Sequence, residues 1–285
     1  MERGMKMESN KKIQMTPKER ATAMAKGEEV DRLPCNPKVA NGVARVYGCK
    51  ISDFNTSARI LADAQIASYR KFGYDGVRVF TDLFPWPEAM GAKVICPEDN
   101  TVDLLEPAIA DAKDIGKLEP LNPYTDGRLP IHLEAMKYLI EDVGDEVGVS
   151  AAIIGPFTFA CFLLGVDKTL KACIQQPEVV HQLCEVGLQS AIAYVDAAIA
   201  IGLGPTISEP MSSCTVISPR IFRKFSQPYL KRLVDHIKSK GKGVVMHICG
   251  QTSGIWEDIA DMGVAGFSID NIASIKDCKE KIGAK

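Results

Sequence analysis

The sequence predicts an α/β protein of the (β/α)8 barrel class that ends after about six βα units. Three observations predict it. From residue 33 onward, short apolar segments alternate with longer segments of helical period, the pattern of βαβ units around a parallel sheet. Two of the short segments are two-faced. Val244, Met246 and Ile248 oppose Gly243, Val245, His247 and Cys249, and Phe267 and Ile269 oppose Gly266, Ser268 and Asp270. An apolar face suits outer helices, and a small, polar face suits a barrel interior with a site at its mouth. The third observation is the count. A barrel needs eight units of roughly 30 residues, so about 60 residues are missing if six are present. An open sheet is the alternative, and the inward-facing polar residues favour the barrel.

Residues 1–15 are rich in Lys, Glu and Met without apolar periodicity, and are expected to be a disordered tail. Residues 16–285 are then one domain, C-terminally incomplete. Thr16-Pro-Lys-Glu19 reads as an N-cap, a first-turn proline and a capping glutamate, opening a helix to about residue 27. Six parallel strands are expected at about 33–37, 76–81, 147–154, 205–209, 243–249 and 265–270. The first is followed by a loop and a helix over 57–72. A long connection after the second holds a strand pair near 92–95 and 101–105. Helices are expected near 111–117, 131–143, 157–164, 167–173 and 177–201. Ser218-Pro219 opens another, interrupted by Pro228 and stopped at Gly241, and two more follow at 253–262 and 274–282.

Composition narrows the function classes. The 285 residues are 46% hydrophobic and 25% charged, as in globular proteins, which excludes a disordered chain or a disulfide miniprotein. Thirty-four basic against thirty-six acidic side chains leave a net charge of −2, so no positive field recruits nucleic acid or anionic lipid. There is no uninterrupted apolar run of membrane-spanning length and no apolar signal core at the N-terminus, so a cytoplasmic location is expected, with no nucleic-acid or membrane partner. Nine cysteines without a C-x-x-C pair are expected to be mostly reduced and buried, with one or two serving as ligands.

The sharpest chemical feature is His247-Ile-Cys249-Gly250 at the C-terminal end of a strand, where barrel enzymes place reacting groups. Residues two apart on a strand point the same way, so an imidazole and a thiolate enter one mouth as two ligands for a metal such as zinc. A core cysteine beside a backbone-bonded histidine explains the same spacing. Asp82, Glu209 and Asp270 also end strands, and read as catalytic or supporting carboxylates or as simple caps. Gly155-Pro-Phe-Thr158 opens a helix whose free N–H groups suit an anion, although Gly-Pro is also common turn chemistry. His132, His181 and His236 lie in helical segments, where packing or surface roles are the default, and Trp86 and Tyr74 either line a pocket or pack. P-loop, G-x-G-x-x-G, HExxH and G-x-S-x-G motifs are absent.

Several stretches together resemble the uroporphyrinogen decarboxylase superfamily. They are Thr16-Pro-Lys-Glu-Arg20 with Val30-Asp-Arg-Leu-Pro34, Phe80-Thr-Asp-Leu83 leading into Pro87-Glu-Ala-Met-Gly91, Gly155-Pro-Phe-Thr158, Glu209-Pro210, Ile217-Ser-Pro-Arg220 and Met246-His-Ile-Cys-Gly-Gln251. Within it, His-x-Cys-Gly is similar to the cobamide-dependent methyltransferase branch, while the arginine-rich R-Q-A-G-R-Y motif of decarboxylases is replaced by Asn36-Pro-Lys-Val-Ala-Asn-Gly-Val-Ala-Arg45. The resemblance implies a barrel holding one zinc through His247, Cys249 and a second cysteine that falls beyond Lys285. It also implies methyl transfer from methylcobalamin, presented by a corrinoid protein, to a small thiol such as coenzyme M. Asp270 or Asn271 approaches the metal in that picture, with Glu209 and Asp270 as supporting carboxylates. Asp82 matches an aspartate that decarboxylases use on pyrrole N–H groups, which keeps a metal-free porphyrinogen decarboxylase as the alternative, and a non-catalytic corrinoid- or partner-binding module is the third reading.

Overall fold

The computed structural model describes residues 15–283, so all of the expected tail except Met15 lies outside the described residues. The chain opens with α1 (Pro17–Ala25), started by the reciprocal Thr16–Glu19 capping box. Then come α2 (Gly42–Tyr47), α3 (Ile51–Thr56), α4 (Ala58–Phe72) and β1 (Gly76–Val79). After α5 (Pro85–Ala89), the antiparallel pair β2 (Lys93–Ile95) and β3 (Asp103–Glu106) forms a separate small sheet. A 3-10 turn (Ala112–Lys117) and α6 (Leu129–Val143) lead to β4 (Gly148–Ile154), α7 (Pro156–Leu164), α8 (Val166–Gln175), α9 (Pro177–Ala200) and β5 (Gly204–Ser208). The remainder is α10 (Pro219–Ile221), a π turn (Phe222–Ser226), α11 (Gln227–Ser239), β6 (Val245–His247), α12 (Trp256–Asp261), β7 (Gly266–Ser268) and α13 (Ile275–Ile282). Pro228 sits in the first turn of α11, where its missing N–H costs nothing, and the π turn just before it absorbs the expected interruption.

Among the described residues the main sheet is parallel and five-stranded, in the order β1-β4-β5-β6-β7. Five of the six expected strands are therefore present, and 33–37 is not a strand. Pro34 and Pro37 remove two ladder donors, so the segment lies beside β1 with one backbone bond, from the N–H of Asp75 to the carbonyl of Cys35 (2.8 Å). The loop expected after it holds α2 and α3. The cysteine expectation also needs correction. Only Cys161, Cys173, Cys184 and Cys278 are buried; Cys35, in the irregular segment before β1, and Cys249, just after β6, are exposed, and all nine are free thiols.

Register places like with like. Ser150 lies between Arg78 and Gly204, and Ser208, His247 and Ser268 follow one another across β5, β6 and β7. These small or polar residues share the interior face, while Val77, Val79, Ile153, Ile207 and Met246 are buried against the helices. α9 is long and apolar enough to cross a membrane by composition alone, and it spends that surface in the core: Leu183, Leu188, Val195 and Ala198 are buried at helical spacing, facing α7 and the sheet.

At the N-terminal end of the sheet, the side chain of Asp75 is wholly buried and bound by three donors: Arg20, Arg32 (2.5 Å) and the backbone N–H of Cys35 (2.7 Å). Arg20 also grips Asp31 (2.6 Å), joining the chain before α2 to β1. These contacts hold the Asp75 carboxyl below the usual carboxylate range despite its burial. Its contribution is thus present above the unfolded carboxylate value and is lost as pH falls through the depressed one. Asp75→Ala, which takes from the buried Arg20 one of its two carboxylate partners and from the Cys35 N–H its acceptor, is expected to lower unfolding free energy by about 3 kcal/mol in urea titrations at pH 7.

Candidate active site at the mouth of the sheet

The C-terminal ends of β1, β4, β5 and β6 open into a cavity of about 660 Å3. His247 and Cys249 form part of its wall, with Ser208 and Pro210 beside them and Arg78 and Lys38 across from them. The strand phase expected for 243–249 is the one found: Val244, Met246 and Ile248 are buried, and His247 and Cys249 face the cavity.

His247 is oriented by its neighbour strand. Its Nδ1 lies 3.0 Å from both the carbonyl oxygen and the Oγ of Ser268, and its Nε2 lies 3.1 Å from Cys249 Sγ. Donation from Nδ1–H to the Ser268 carbonyl leaves the Nε2 lone pair on the Cys249 side. Burial, with Lys38 adding repulsion, pushes the imidazole below its ordinary value, so the ring is neutral at pH 7. Burial also pushes the Cys249 thiol up, and Lys38 opposes that shift. Two tetrahedral zinc ligands of these types lie about 3.6 Å apart, so Nε2 and Sγ need separate by only about half an ångström to share an ion. The pair fits a zinc ion as two of its ligands. Among the described residues no third His, Cys, Asp or Glu completes a cluster with them.

Asp270 acts on this pair at one remove. Its Oδ2 accepts the N–H of Gly250 and its Oδ1 the N–H of Asn271, both at 2.6 Å, so it is a strut that pins the turn carrying Cys249. That turn needs glycine: Gly250 has φ +70°, and a Cβ there would meet Ser213 Oγ and Thr215 Oγ1 at 2.6 Å.

Glu209 does not line the cavity. It is fully buried at the N-terminus of α7, where one carboxylate oxygen accepts the backbone N–H of Thr158 (2.6 Å) and the Thr158 hydroxyl. The anion that Gly155-Pro-Phe-Thr158 was expected to hold is this internal carboxylate. Gly155 is glycine because a Cβ there would fall 1.7 Å from Glu209 Oε2.

Asp82 does border the cavity, but its oxygens are engaged by Arg128 (2.9 and 3.3 Å) and by the N–H of Phe84 (2.8 Å). Arg128 also holds Glu88 at 2.6 Å. His132 lies beneath, 3.2 Å from Thr81 Oγ1, and burial pushes it down to about 4, so it stays neutral. Trp86 packs edge-on against His132 and Tyr194, and Tyr74 against Tyr69. Arg128, Lys38 and Arg78 were not singled out from the sequence, and Ser268 was read only as part of the polar face of its strand. Of the first three, Arg78 carries a readable signal, a charge in the interior phase of Gly76-Val-Arg-Val79.

The profile of the uroporphyrinogen decarboxylase family (URO-D) matches residues 16–285. The methylcobamide:CoM methyltransferase MtaA of Methanosarcina barkeri is 28% identical over 275 residues, 95% of this chain and 80% of that protein. The methylcobamide:CoM methyltransferase MtbA of Methanosarcina acetivorans is 27% identical over 272 residues, 94% of this chain and 80% of its own length. A solved structure described as a methyltransferase from Methanosarcina mazei superposes with a TM-score of 0.84 at 28% identity, covering 94% of this chain and 80% of that one. The α/β class expected from the sequence is thus the one found.

Burial pushes Glu209 up to about 7 against the opposing pull of Thr158. A raised carboxyl value favours the fold at low pH and costs it stability as pH rises through 7, by at most about 1.4 kcal/mol per pH unit. Urea midpoints are expected to fall between pH 6 and pH 8.5 in the parent protein, and Glu209→Gln, which keeps the acceptor for Thr158, is expected to remove that slope.

Proposed function

The chain belongs to the uroporphyrinogen decarboxylase family, and from that premise we propose that it is a corrinoid-dependent methyltransferase that methylates a small thiol beside Cys249. The observation that carries this reading is the His247–Cys249 pair, with the imidazole neutral, its Nδ1 tied to Ser268 and its Nε2 turned to the sulfur inside the cavity. His247 Nε2 and Cys249 Sγ would hold a zinc ion. Bound there, zinc supplies the charge that keeps a nearby thiol deprotonated near neutral pH.

The chain's own residues do the rest. Ser268 fixes the ring, Asp270 and Gly250 fix the turn that presents Cys249, and the cavity admits the acceptor thiol from the open face of the mouth. The methyl group leaves methylcobalamin, presented by a corrinoid protein, without the cobalt–carbon electron pair. It forms a carbon–sulfur bond to the acceptor, giving a thioether and cob(I)alamin. Asp82 argues against the metal-free decarboxylase alternative: Arg128 and Phe84 occupy three of its about four acceptor positions, leaving little to hold pyrrole N–H groups.

Zinc retained by the folded protein, read by elemental analysis, is expected to be lost in Cys249→Ala and His247→Ala. Methylcobalamin demethylation by thiol, followed by its visible spectrum, is expected to fall by more than about 100-fold in both variants. Full-rate turnover by zinc-free Cys249→Ala protein would refute the mechanism.

A further inference from the structure

Three aromatic rings beneath the mouth meet with polar atoms unspent. Trp86 of α5, His132 of α6 and Tyr194 of α9 are each at most 2% exposed. The Trp86 ring stands edge-on to both of the others, its centroid 6.3 Å from that of His132 and 5.6 Å from that of Tyr194. Among the described residues, Trp86 Nε1, His132 Nδ1 and the Tyr194 hydroxyl have no hydrogen-bond partner. The polar side chains one turn away are committed elsewhere. The Ser190 hydroxyl donates to the carbonyl of Val186 and accepts the N–H of Leu121, and Arg128 is held by Asp82 and Glu88.

A buried polar atom left unpaired costs more than a hydrogen bond contributes, and natural cores carry few of them. Three on touching rings therefore call for a shared partner. An N–H···π contact serves Trp86 alone and leaves the other two unfilled. The partner is neutral, because burial pushes His132 down to about 4 and the Tyr194 hydroxyl up, so neither ring is charged near pH 7. Indole N–H only donates, a phenol hydroxyl donates or accepts, and a neutral imidazole accepts at one nitrogen. Water, which makes about three hydrogen bonds when buried, accepts from two of these groups and donates to the third.

We infer that Trp86, His132 and Tyr194 hold one internal water, which accepts from the Trp86 Nε1–H and the Tyr194 hydroxyl and donates to His132 Nδ1. His132 then carries its proton on Nε2 and donates it to Thr81 Oγ1 at 3.2 Å, and Thr81 lines the cavity immediately before Asp82. The water acts on the cavity at one remove: it fixes the His132 tautomer, and the tautomer fixes the direction of the bond to Thr81. His132 and Tyr194 are thus positioning residues. The site joins α5, α6 and α9 under the end of β1 and does not depend on the methyltransferase reading.

Two tryptophans and four histidines are few enough to resolve by NMR on the full chain labelled with 15N, with Trp86→Phe and His132→Gln as assignments. The Trp86 indole N–H is expected to cross-relax with water in the manner of a long-lived contact, and to keep doing so in Tyr194→Phe, where no phenol hydroxyl relays the signal. His132 is expected to show a protonated Nε2 and a bare Nδ1, unchanged from pH 6 to pH 8. Tyr194→Phe, which removes a hydroxyl without opening the core, is expected to lower the thermal midpoint by about 2 °C. An unpartnered hydroxyl predicts the opposite sign, since its removal relieves a cost. Absence of water contact at Trp86 in the folded parent, a proton on His132 Nδ1, or a Tyr194→Phe midpoint at or above the parent's overturns the site. An indole proton shifted upfield by ring current without water contact assigns Trp86 to an N–H···π bond instead and overturns it as well.

Discussion

The two-residue period of the parallel strands is the constraint on which the site depends. In β1, β4, β5 and β6 one face is apolar and buried against helices, with Phe267 of β7 half-buried on the same side, and the other face carries mainly Gly, Ser, Thr, Ala, Arg and His. Parallel sheets covered by helices on one side need that apolar face for stability. The other face is released from packing, and because its residues are mostly small, a cavity remains at the strand ends. A shift of one residue in β6 would turn His247 and Cys249 into the helix layer and bring Met246 and Ile248 into the cavity.

Buried charges are treated differently at the two ends of the sheet. Below, Asp75 is closed between Arg20 and Arg32, and at one side of the mouth Asp82 is closed by Arg128. Both clusters have their donors and acceptors filled, so they serve as anchors that tie distant segments to β1. Glu209 is a third anchor, joining the end of β5 to the start of α7 through Thr158, and it carries a residual cost because its second oxygen has no partner. Lys38 and Arg78 are the exception among these groups, charged without a countercharge.

The histidine–cysteine pair depends on support from two other parts of the chain, β7 with the residues just after it and the loop that follows β5. Ser268 reaches it from β7, Asp270 from the residues after β7, and Thr215 accepts none of the pair's atoms yet holds the N–H of Gln251 at 3.0 Å, just beyond Cys249. Ring tautomer and sulfur position are thereby set before any ligand arrives, the preorganisation that a metal or thiol site requires.

What the sequence determined by itself was local and periodic. Strand phase, the capping box at Thr16, the proline in the first turn of α11 and the pairing of His247 with Cys249 all follow from spacings of two to four residues, which the chain carries wherever it folds. Even its one false strand, 33–37, has a local reason in Pro34 and Pro37. The tertiary structure alone decided which charges meet. Arg128 reaches Asp82 across 46 positions in the chain, Thr158 claims Glu209 across 51, and Ser268 orients His247 across 21. No periodicity encodes those meetings, because a carboxylate at a strand end has the same local signature whether it faces a substrate, a guanidinium or a helix terminus. Only the packing of the strands and helices chose among them. It also left Arg78 and Lys38 without a partner, which no reading of adjacent residues reveals.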